Sequence, residues 1–398
     1  MKTAGIICEY NPFHRGHAWQ IAELRRRLGG ETAVVCAMSG SFVQRGDFAI
    51  ERTHARATAA VYGGADLVLE LPLPWAIASA EGFASGGVSV LESAGVVDTL
   101  VFGSECGDTA KLQRAAEALL RGDFPEQLRE KLAGGMSFAA AREAAVRAMI
   151  GDDADALTQP NDILGVEYCK ALIASGSAIA PLALFRKAVG HNGETAEGFA
   201  PAGHIRALLT RGEDASAYLT RESAAGYARE CAIGRAPVQM ANAERAILSR
   251  LRMMDEATFR LYDSGNEGLY RRFCGAARTA VSVEELLSAV KTKRYAYARL
   301  RRMLLAAYLG ISAQDMPRRV PYLRVLAFNE RGQKLIKIIK KTGNAPVLTK
   351  SADVRALSGE AQALFALTAR AEDQYVLAYP DLRQAKGGST WTEGPVIL

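Results

Sequence analysis

No apolar run in the 398-residue chain approaches the roughly 20 residues that a membrane-spanning helix requires, so no membrane partner is expected. The six cysteines all lie more than four positions apart, which excludes C-x-x-C zinc knuckles and predicts no metal held by the protein. Neither G-x-G-x-x-G nor G-x-x-x-x-G-K-[ST] occurs, which excludes the phosphate loops of nicotinamide enzymes and P-loop proteins. The first residues lack the pattern of a secretion signal, and a cytoplasmic protein with reduced thiols is expected.

The most informative stretch lies near the start of the chain. An apolar run over residues 4–8 predicts a buried strand, Asn11 and Pro12 predict a turn, and a helical pattern follows. Between turn and helix stands His14-Arg15-Gly16-His17. A helix N-terminus offers free N–H groups and the positive end of a dipole, and two histidines at this spacing share one side of its first turn. The pattern predicts a site for nucleotide phosphates, and a pair of surface or capping histidines is the alternative interpretation.

Four further apolar runs with strand character follow, at residues 32–38, 66–71, 99–102 and 180–185. Because helical patterns separate them, the first half is expected to be an α/β domain with a Rossmann-like parallel sheet. Ligands of such sheets bind at the carboxyl ends of the strands. The loops that follow the first, second and fourth strands are therefore expected to meet at the binding site.

The last of these strands is followed directly by two cations, Arg186 and Lys187. If they share a sheet edge with His14 and His17, they suit the α-phosphate of a nucleotide or a departing pyrophosphate. An ordinary exposed pair of cations is the alternative interpretation.

The two halves of the chain differ in net charge. Residues 1–200 carry 18 Lys and Arg against 24 Asp and Glu, whereas residues 201–398 carry 31 against 19. The basic half predicts a polyanionic partner such as nucleic acid, with a solvated basic surface as the alternative. We therefore expect a nucleotide-binding α/β domain at residues 1–200 and a mostly helical, basic domain at residues 201–398, with a flexible tail from residue 380.

Basic residues are densest between positions 291 and 302, where an amphipathic helical pattern places them on one face. Tyr295 and Tyr297 are interleaved with them, and each either stacks on an unpaired base or faces the core. Leucines and a tyrosine at positions 300, 304, 305 and 308 form the expected inward stripe. The predicted RNA-binding residues are Lys291, Lys293, Arg294, Arg299, Arg301 and Arg302.

Six segments resemble, in order, those of one known family: EYNPFHRGH at 9–17, MSGSFVQRGD at 38–47, DLVLELP at 66–72, FGSE at 102–105, NDILGVEY at 161–168 and KTKRYAYARLRRMLL at 291–305. Together they are similar to the bacterial tRNA(Met) cytidine acetate ligase family. Within them, His14-Arg15-Gly16-His17 resembles the H-x-G-H motif of the nucleotidyltransferase superfamily.

The resemblance implies a reaction in two steps. ATP and acetate form acetyl-adenylate and pyrophosphate, and the acetyl group then passes to N4 of the wobble cytidine of elongator tRNA(Met). Mg²⁺ is expected to accompany the phosphates. The implied catalytic residues are His14, His17 and Arg186. The implied ATP-binding residues are Ile7, Cys8, Glu9, Tyr10, Asn11, Pro12, Phe13, His14, Arg15, Gly16, His17, Ala18, Trp19, Gln20, Gly103, Asn161, Arg186 and Lys187.

Two segments depart from the family pattern. Gly190-His191-Asn192 stands where the family has Tyr-His-Asp, and residues 200–206 lack the hydroxyl side chains of a phosphate-binding turn. Backbone N–H groups and Arg206 remain available to phosphate there. Two other functions therefore stay open: a nucleotidyltransferase acting on a small acid or phosphate, and a tRNA-binding relative without catalytic activity.

Overall fold

A computed structural model describes residues 2–186, 198–263, 265 and 268–398. The strands within these residues are β1 (Thr3–Cys8), β2 (Ala33–Ser39), β3 (Phe42–Val43), β4 (Asp47–Phe48), β5 (Leu67–Leu71), β6 (Thr99–Ser104), β7 (Ala180–Phe185), β8 (Leu323–Phe328), β9 (Val347–Leu348) and β10 (Val396–Ile397).

The α-helices of the described residues surround these strands. They are α1 (Arg15–Leu28), α2 (Thr53–Tyr62), α3 (Leu73–Ala76), α4 (Ala80–Ala94), α5 (Thr109–Leu120), α6 (Phe124–Ala133), α7 (Phe138–Ile150), α8 (Pro160–Ser175), α9 (Ala202–Thr210), α10 (Arg221–Ala232), α11 (Glu244–Arg252), α12 (Glu256–Arg260), α13 (Leu269–Thr279), α14 (Val283–Val290), α15 (Tyr297–Leu309), α16 (Glu330–Thr342), α17 (Gly359–Tyr375) and α18 (Ser389–Thr392). None of these helices is long and apolar enough to cross a membrane.

The main sheet has eight strands in the order β10-β8-β5-β2-β1-β6-β7, with β9 paired to β8. Strands β5, β2, β1, β6 and β7 run parallel to their neighbours in this series. Every residue of β1, β2 and β5 is buried, because helices cover both faces, and this explains their nearly continuous apolar sequence. The predicted Rossmann-like α/β fold is confirmed, and because these strands are parallel, the loops after β1, β2 and β6 and the end of β7 lie at one sheet edge.

The second half of the chain completes the sheet. Strand β8 pairs antiparallel with β5, and β10 pairs with β8 through Val396 opposite Ala327. The prediction of a flexible tail from residue 380 was wrong, because this pairing and an edge-to-face contact of Trp391 with Phe365, at 4.8 Å between ring centroids, hold the segment in place. The sheet is thus not confined to residues 1–200, and the division into two domains at that point stays a prediction.

The basic segment is helical over only part of its length. Helix α15 begins at Tyr297, so Lys291 to Ala296 precede it. The expected inward stripe is confirmed, since the four side chains at positions 300, 304, 305 and 308 are all buried. Tyr295 is also buried and belongs to the core, whereas Tyr297 is 39% exposed.

A short hairpin stands between the sheet edge and this helix. Strands β3 and β4 pair antiparallel within the loop that follows β2. Gly46, at the turn of the hairpin, has a φ of +75°, and a Cβ atom there would lie 2.5 Å from the backbone nitrogen of Arg302. Glycine is required at this position on both grounds. The hairpin therefore packs directly on the first turns of α15.

Candidate active site

The two histidines of the first loop cap helix α1. His14 is the N-cap residue, and its Nδ1 accepts a hydrogen bond from the N–H of Gly16 at 3.0 Å. His17 makes the reciprocal hydrogen bond, since its Nδ1 accepts from the backbone N–H of His14 at 3.3 Å. The two rings stack with centroids 3.7 Å apart. The capping interpretation of this pair is therefore correct, and it fixes how the rings can serve a ligand.

The capping bonds assign the tautomer of each ring. A neutral imidazole that accepts at Nδ1 carries its proton on Nε2. Burial lowers the pKa of His14 to about 3, with Arg186 and Arg206 as further causes. Burial also lowers the pKa of His17 well below its usual range, helped by His14 and Arg186. At neutral pH both rings are thus uncharged donors through Nε2–H.

A cavity opens beside these rings at the sheet edge. It brings together the start of α1 and the ends of β6 and β7. The loop after the second predicted strand, β2, was also expected here, but it does not line the cavity. Its walls combine hydrogen-bonding groups with apolar surface. They are formed by His14, Gly16, His17, Trp19, Gln20, Gly103, Leu184, Arg186, Phe199 and Ala200.

The rest of the 7–20 stretch supports the cavity without lining it. Tyr10 and Phe13 pack edge to face in the core, and Asn11 accepts a hydrogen bond from the N–H of Ile50 at 2.8 Å. Arg15 turns away and donates to the carbonyl of Leu219 at 3.1 Å. The members that lie outside the cavity wall are Ile7, Cys8, Glu9, Tyr10, Asn11, Pro12, Phe13, Arg15 and Ala18.

Arg186 is oriented by a chain of hydrogen bonds from the start of α8. Its Nη1 donates to Oδ1 of Asn161 at 3.2 Å, and Asn161 in turn donates to the carboxylate of Glu105. Glu105 also accepts from the N–H of Asp162 at 2.9 Å. Gly103 leaves room for this arrangement, because a Cβ atom there would lie 3.2 Å from Cγ of Arg186. Lys187 and His191 lie outside the described residues.

Sequence reasoning missed a buried cation that holds the loops of the site. Arg56 on α2 is fully buried, and its guanidinium donates to the carbonyls of Glu9, Ser39, Gly40 and Glu51. It therefore joins the loop after β1 to the loop after β2. The signal was a lone arginine on the buried face of an alanine-rich helix, where a cation is retained only if its donors find partners.

Arg206 on α9 adds a second cation to this edge. Its Nη1 donates to the carbonyl of Asn11 at 2.8 Å, and its charge contributes to lowering the pKa of His14. Helix α9 begins at Ala202 without a side-chain cap. The turn that lacks hydroxyls thus still presents backbone N–H groups beside an arginine.

The predicted RNA-binding cations do not share one environment. Lys291, Lys293 and Arg294 are exposed, although the Nζ of Lys291 donates to nearby carbonyls. Arg299 lies 3.7 Å from Asp263. The other two reach the hairpin β3–β4, as Arg301 pairs with Asp47 at 2.6 Å and Arg302 donates to the carbonyl of Gln44 at 3.5 Å.

The sheet topology, the capped histidine pair and the oriented arginine define a class of protein. They are the parts of a nucleotidyltransferase of the H-x-G-H type, and a family model described as HIGH Nucleotidyl Transferase matches residues 1–390.

Particular relatives cover the whole chain. The tRNA(Met) cytidine acetate ligase of Acetivibrio thermocellus is 35% identical over 100% of both chains, and that of Caldanaerobacter subterraneus subsp. tengcongensis is 36% identical over 97% of this chain and 98% of its own. A crystal structure of Thermotoga maritima TmcAL bound with alpha-thio ATP superposes with a TM-score of 0.93 at 31% identity, covering 100% of both chains. The chain belongs to the tRNA(Met) cytidine acetate ligase family.

The pH dependence of the free energy of unfolding tests whether His14 is buried as a neutral ring, and the His14→Asn variant removes that ring. Because its pKa is lowered in the folded protein, the unfolded chain takes up more protons below about pH 6.5, and stability is lost as the pH falls. The ring contributes a slope of up to about 1.4 kcal/mol per pH unit in that range. We expect His14→Asn, which can still cap the helix, to flatten the fall between pH 6.5 and 4.5 in urea unfolding. The exposed His204→Asn variant is the control, and an unchanged slope in His14→Asn would contradict the assignment.

Arg56→Lys tests the buried guanidinium. An ammonium has three donors without the planar fork, so it leaves one or two buried carbonyls without a partner, at a cost of about 1–3 kcal/mol each. We expect unfolding in urea to show a loss of about 2–4 kcal/mol. The matched control is Arg52→Lys, whose residue makes one ion pair, with Glu393, that lysine can keep. Equal losses in the two variants would count against the role given to Arg56.

Proposed function

We propose that the protein is an ATP-dependent ligase that activates acetate as acetyl-adenylate. It then transfers the acetyl group to N4 of the wobble cytidine of elongator tRNA(Met). The observation that carries this proposal is the pair of neutral histidine rings facing one cavity with Arg186. Membership of the family supports the same conclusion, because its named relatives are tRNA(Met) cytidine acetate ligases over their full length.

The chemistry of the first step asks little of the protein beyond positioning. Attack of a carboxylate on the α-phosphorus of ATP needs stabilisation of charge on the phosphoryl oxygens and on pyrophosphate. The Nε2–H groups of His14 and His17 supply fixed donors, while Arg186 and Arg206 supply charge. No proton has to leave the histidines, which agrees with the lowered pKa of each ring.

The cavity also suits the base of ATP. Trp19, Leu184 and Phe199 form an apolar wall that can accept a purine ring. The uncapped start of α9 beside Arg206 suits phosphate oxygens despite the missing hydroxyls. We infer that the base lies against the apolar wall and the phosphates against the histidines and α9.

Mg²⁺ remains an expectation that comes from the phosphates alone. Within the described residues, no group of three or more His, Cys, Asp or Glu side chains is placed to hold a metal ion. The residues present therefore do not form a protein cage for Mg²⁺, and we derive no step through it.

The RNA is proposed to approach along the exposed part of the basic segment. Lys293 and Arg294 are exposed ahead of α15, and Tyr297 at its start is partly exposed. Cations beside an aromatic ring suit a phosphate backbone next to an unpaired base. A nucleotidyltransferase for a small acid would leave this basic half unexplained. A relative without activity would leave unexplained the cavity that the histidine pair shares with Arg186.

Acetate-dependent exchange of labelled pyrophosphate into ATP tests the first step. The wild-type protein should catalyse the exchange, and His17→Ala should lower its rate by about 100-fold or more, because one donor to the reacting phosphates is lost. Arg129→Ala, on an exposed position of α6, is the control. Exchange with a different acid would favour the small-acid enzyme, and no exchange beside intact tRNA binding would favour the relative without activity.

Filter binding of tRNA at several salt concentrations tests the RNA surface. Lys293→Ala combined with Arg294→Ala should weaken binding and reduce the slope of log affinity against log salt by about one per lost phosphate contact. Arg121→Ala combined with Arg129→Ala removes two exposed charges from the first half of the chain and is the matched control. Equal weakening by both pairs would argue against a specific surface on the basic segment.

A further inference from the structure

The second step also requires a group that receives the acceptor amine. We propose that the side chain of Glu9 forms this subsite, by accepting a hydrogen bond from the exocyclic amine of a nucleobase and then its proton. The inference rests on the proposed function, because it concerns the acceptor of the same reaction.

Glu9 is held rigidly at the edge of the site. It follows the last residue of β1, and its backbone carbonyl is bound by the guanidinium of Arg56. One carboxylate oxygen, Oε1, accepts from the N–H of Gln44 in the hairpin at 2.7 Å. The side chain keeps an intermediate exposure. The carboxylate is thus fixed by one oxygen, and its second oxygen can serve a ligand.

The loop after β1 carries this carboxylate and leads directly into the histidine pair. Arg206 donates to the carbonyl of Asn11, which lies between Glu9 and His14 in that loop, so one arginine borders both. A carboxylate repels phosphate oxygens, and the side chain of Glu9 is therefore unsuited to bind the triphosphate. It suits a hydrogen-bond donor, and the N4 amine of cytosine is a donor that carboxylates accept in nucleic-acid recognition.

The site also leads toward the RNA surface. Gln44, whose N–H binds the carboxylate of Glu9, accepts a hydrogen bond from Arg302 of α15 through its carbonyl at 3.5 Å. Asp47 and Arg301 form the contact between the hairpin and α15. Glu9 therefore lies between the loop that carries the histidine pair and the hairpin that contacts α15, the helix that continues the exposed basic segment.

The transfer step balances with Glu9 as the proton acceptor. The lone pair of the amine nitrogen attacks the carbonyl carbon of acetyl-adenylate, and a new C–N bond forms. The C–O bond to the phosphate breaks, and AMP leaves with its electron pair. One amine proton passes to the carboxylate of Glu9, and from there to water. No oxidant, reductant or further reactant is needed.

The surroundings of Glu9 shift the pKa of its carboxyl group in the direction that suits a proton acceptor. Burial raises the pKa of its carboxyl group, and the charges of Arg206, Arg56 and Arg45 oppose that rise. Tyr168 on α8 also lies within electrostatic reach. A proton acceptor works best when its pKa lies close to the working pH, so a raised value favours this role.

Glu9→Gln separates the two steps of the reaction. Transfer is measured in a single turnover, from enzyme-bound labelled acetyl-adenylate to saturating tRNA, and activation by acetate-dependent pyrophosphate exchange. We expect transfer to fall by about 100-fold or more, the usual effect of losing a general base, and to fall at least tenfold further than exchange. In the wild-type protein the transfer rate should rise with pH to a plateau as Glu9 loses its proton, and in Glu9→Gln this rise should be absent.

Two further variants keep the test decisive. Asp47→Asn removes a carboxylate charge from the same cluster and should retain the pH-dependent rise of the transfer rate. Glu9→Asp should also retain this rise, with an intermediate loss of transfer rate. These two results apply even if Glu9→Gln proves unstable in a thermal melt. Equal falls in transfer and exchange, or a preserved rise in Glu9→Gln, would overturn the proposal. Absence of exchange in the wild-type protein would instead overturn the proposed function, and the assignment of Glu9 with it.

Discussion

The edge of the sheet depends on one buried guanidinium. Arg56 has no exposed surface, and its donors reach four backbone carbonyls, one at the end of β2 and three in the loops after β1, β2 and β4. Loops at this edge would otherwise leave carbonyls buried without partners, which costs free energy. An arginine satisfies several of them at once because its donors are fixed in a plane. The positions of Glu9 and Gly40 therefore follow from a residue on a neighbouring helix.

The histidine pair combines a structural role with the chemical role that we propose, and the two roles use different nitrogens of the same rings. Each Nδ1 closes a bond to the backbone of α1, so the rings cannot rotate without uncapping the helix. Burial and nearby arginines keep both rings uncharged. The charge that a triphosphate requires must then come from elsewhere, and Arg186 and Arg206 are the cations that meet the pair. The site thus combines neutral donors of fixed direction with positive charge on separate elements.

Sequence patterns predicted the elements that depend on neighbouring residues, and missed those that depend on distant ones. The strand at 180–185 was located with its bounds, since an apolar run bounded by turn residues is enough to define a strand, even though β7 is a partly exposed edge strand. Strands β8 and β10 were missed, because their pairing joins residues more than 250 positions apart or adds a two-residue edge. The same limit applies to the site. His14 and His17 were recognisable from their spacing, whereas Arg56 and Arg206 gain their meaning only from carbonyls on distant loops.

The basic segment illustrates why charge pattern alone cannot define a binding face. Arg301 and Arg302 were expected to face RNA together with their neighbours, but both side chains are hydrogen-bonded to the hairpin β3–β4. That hairpin also supplies the N–H of Gln44 to the carboxylate of Glu9. One short element therefore contacts the helix proposed to meet the RNA and the carboxylate proposed to meet the acceptor base. Since Gly46 lets the hairpin lie against α15 without a gap, a displacement of the helix would also displace the hairpin and the carboxylate of Glu9 that the hairpin binds.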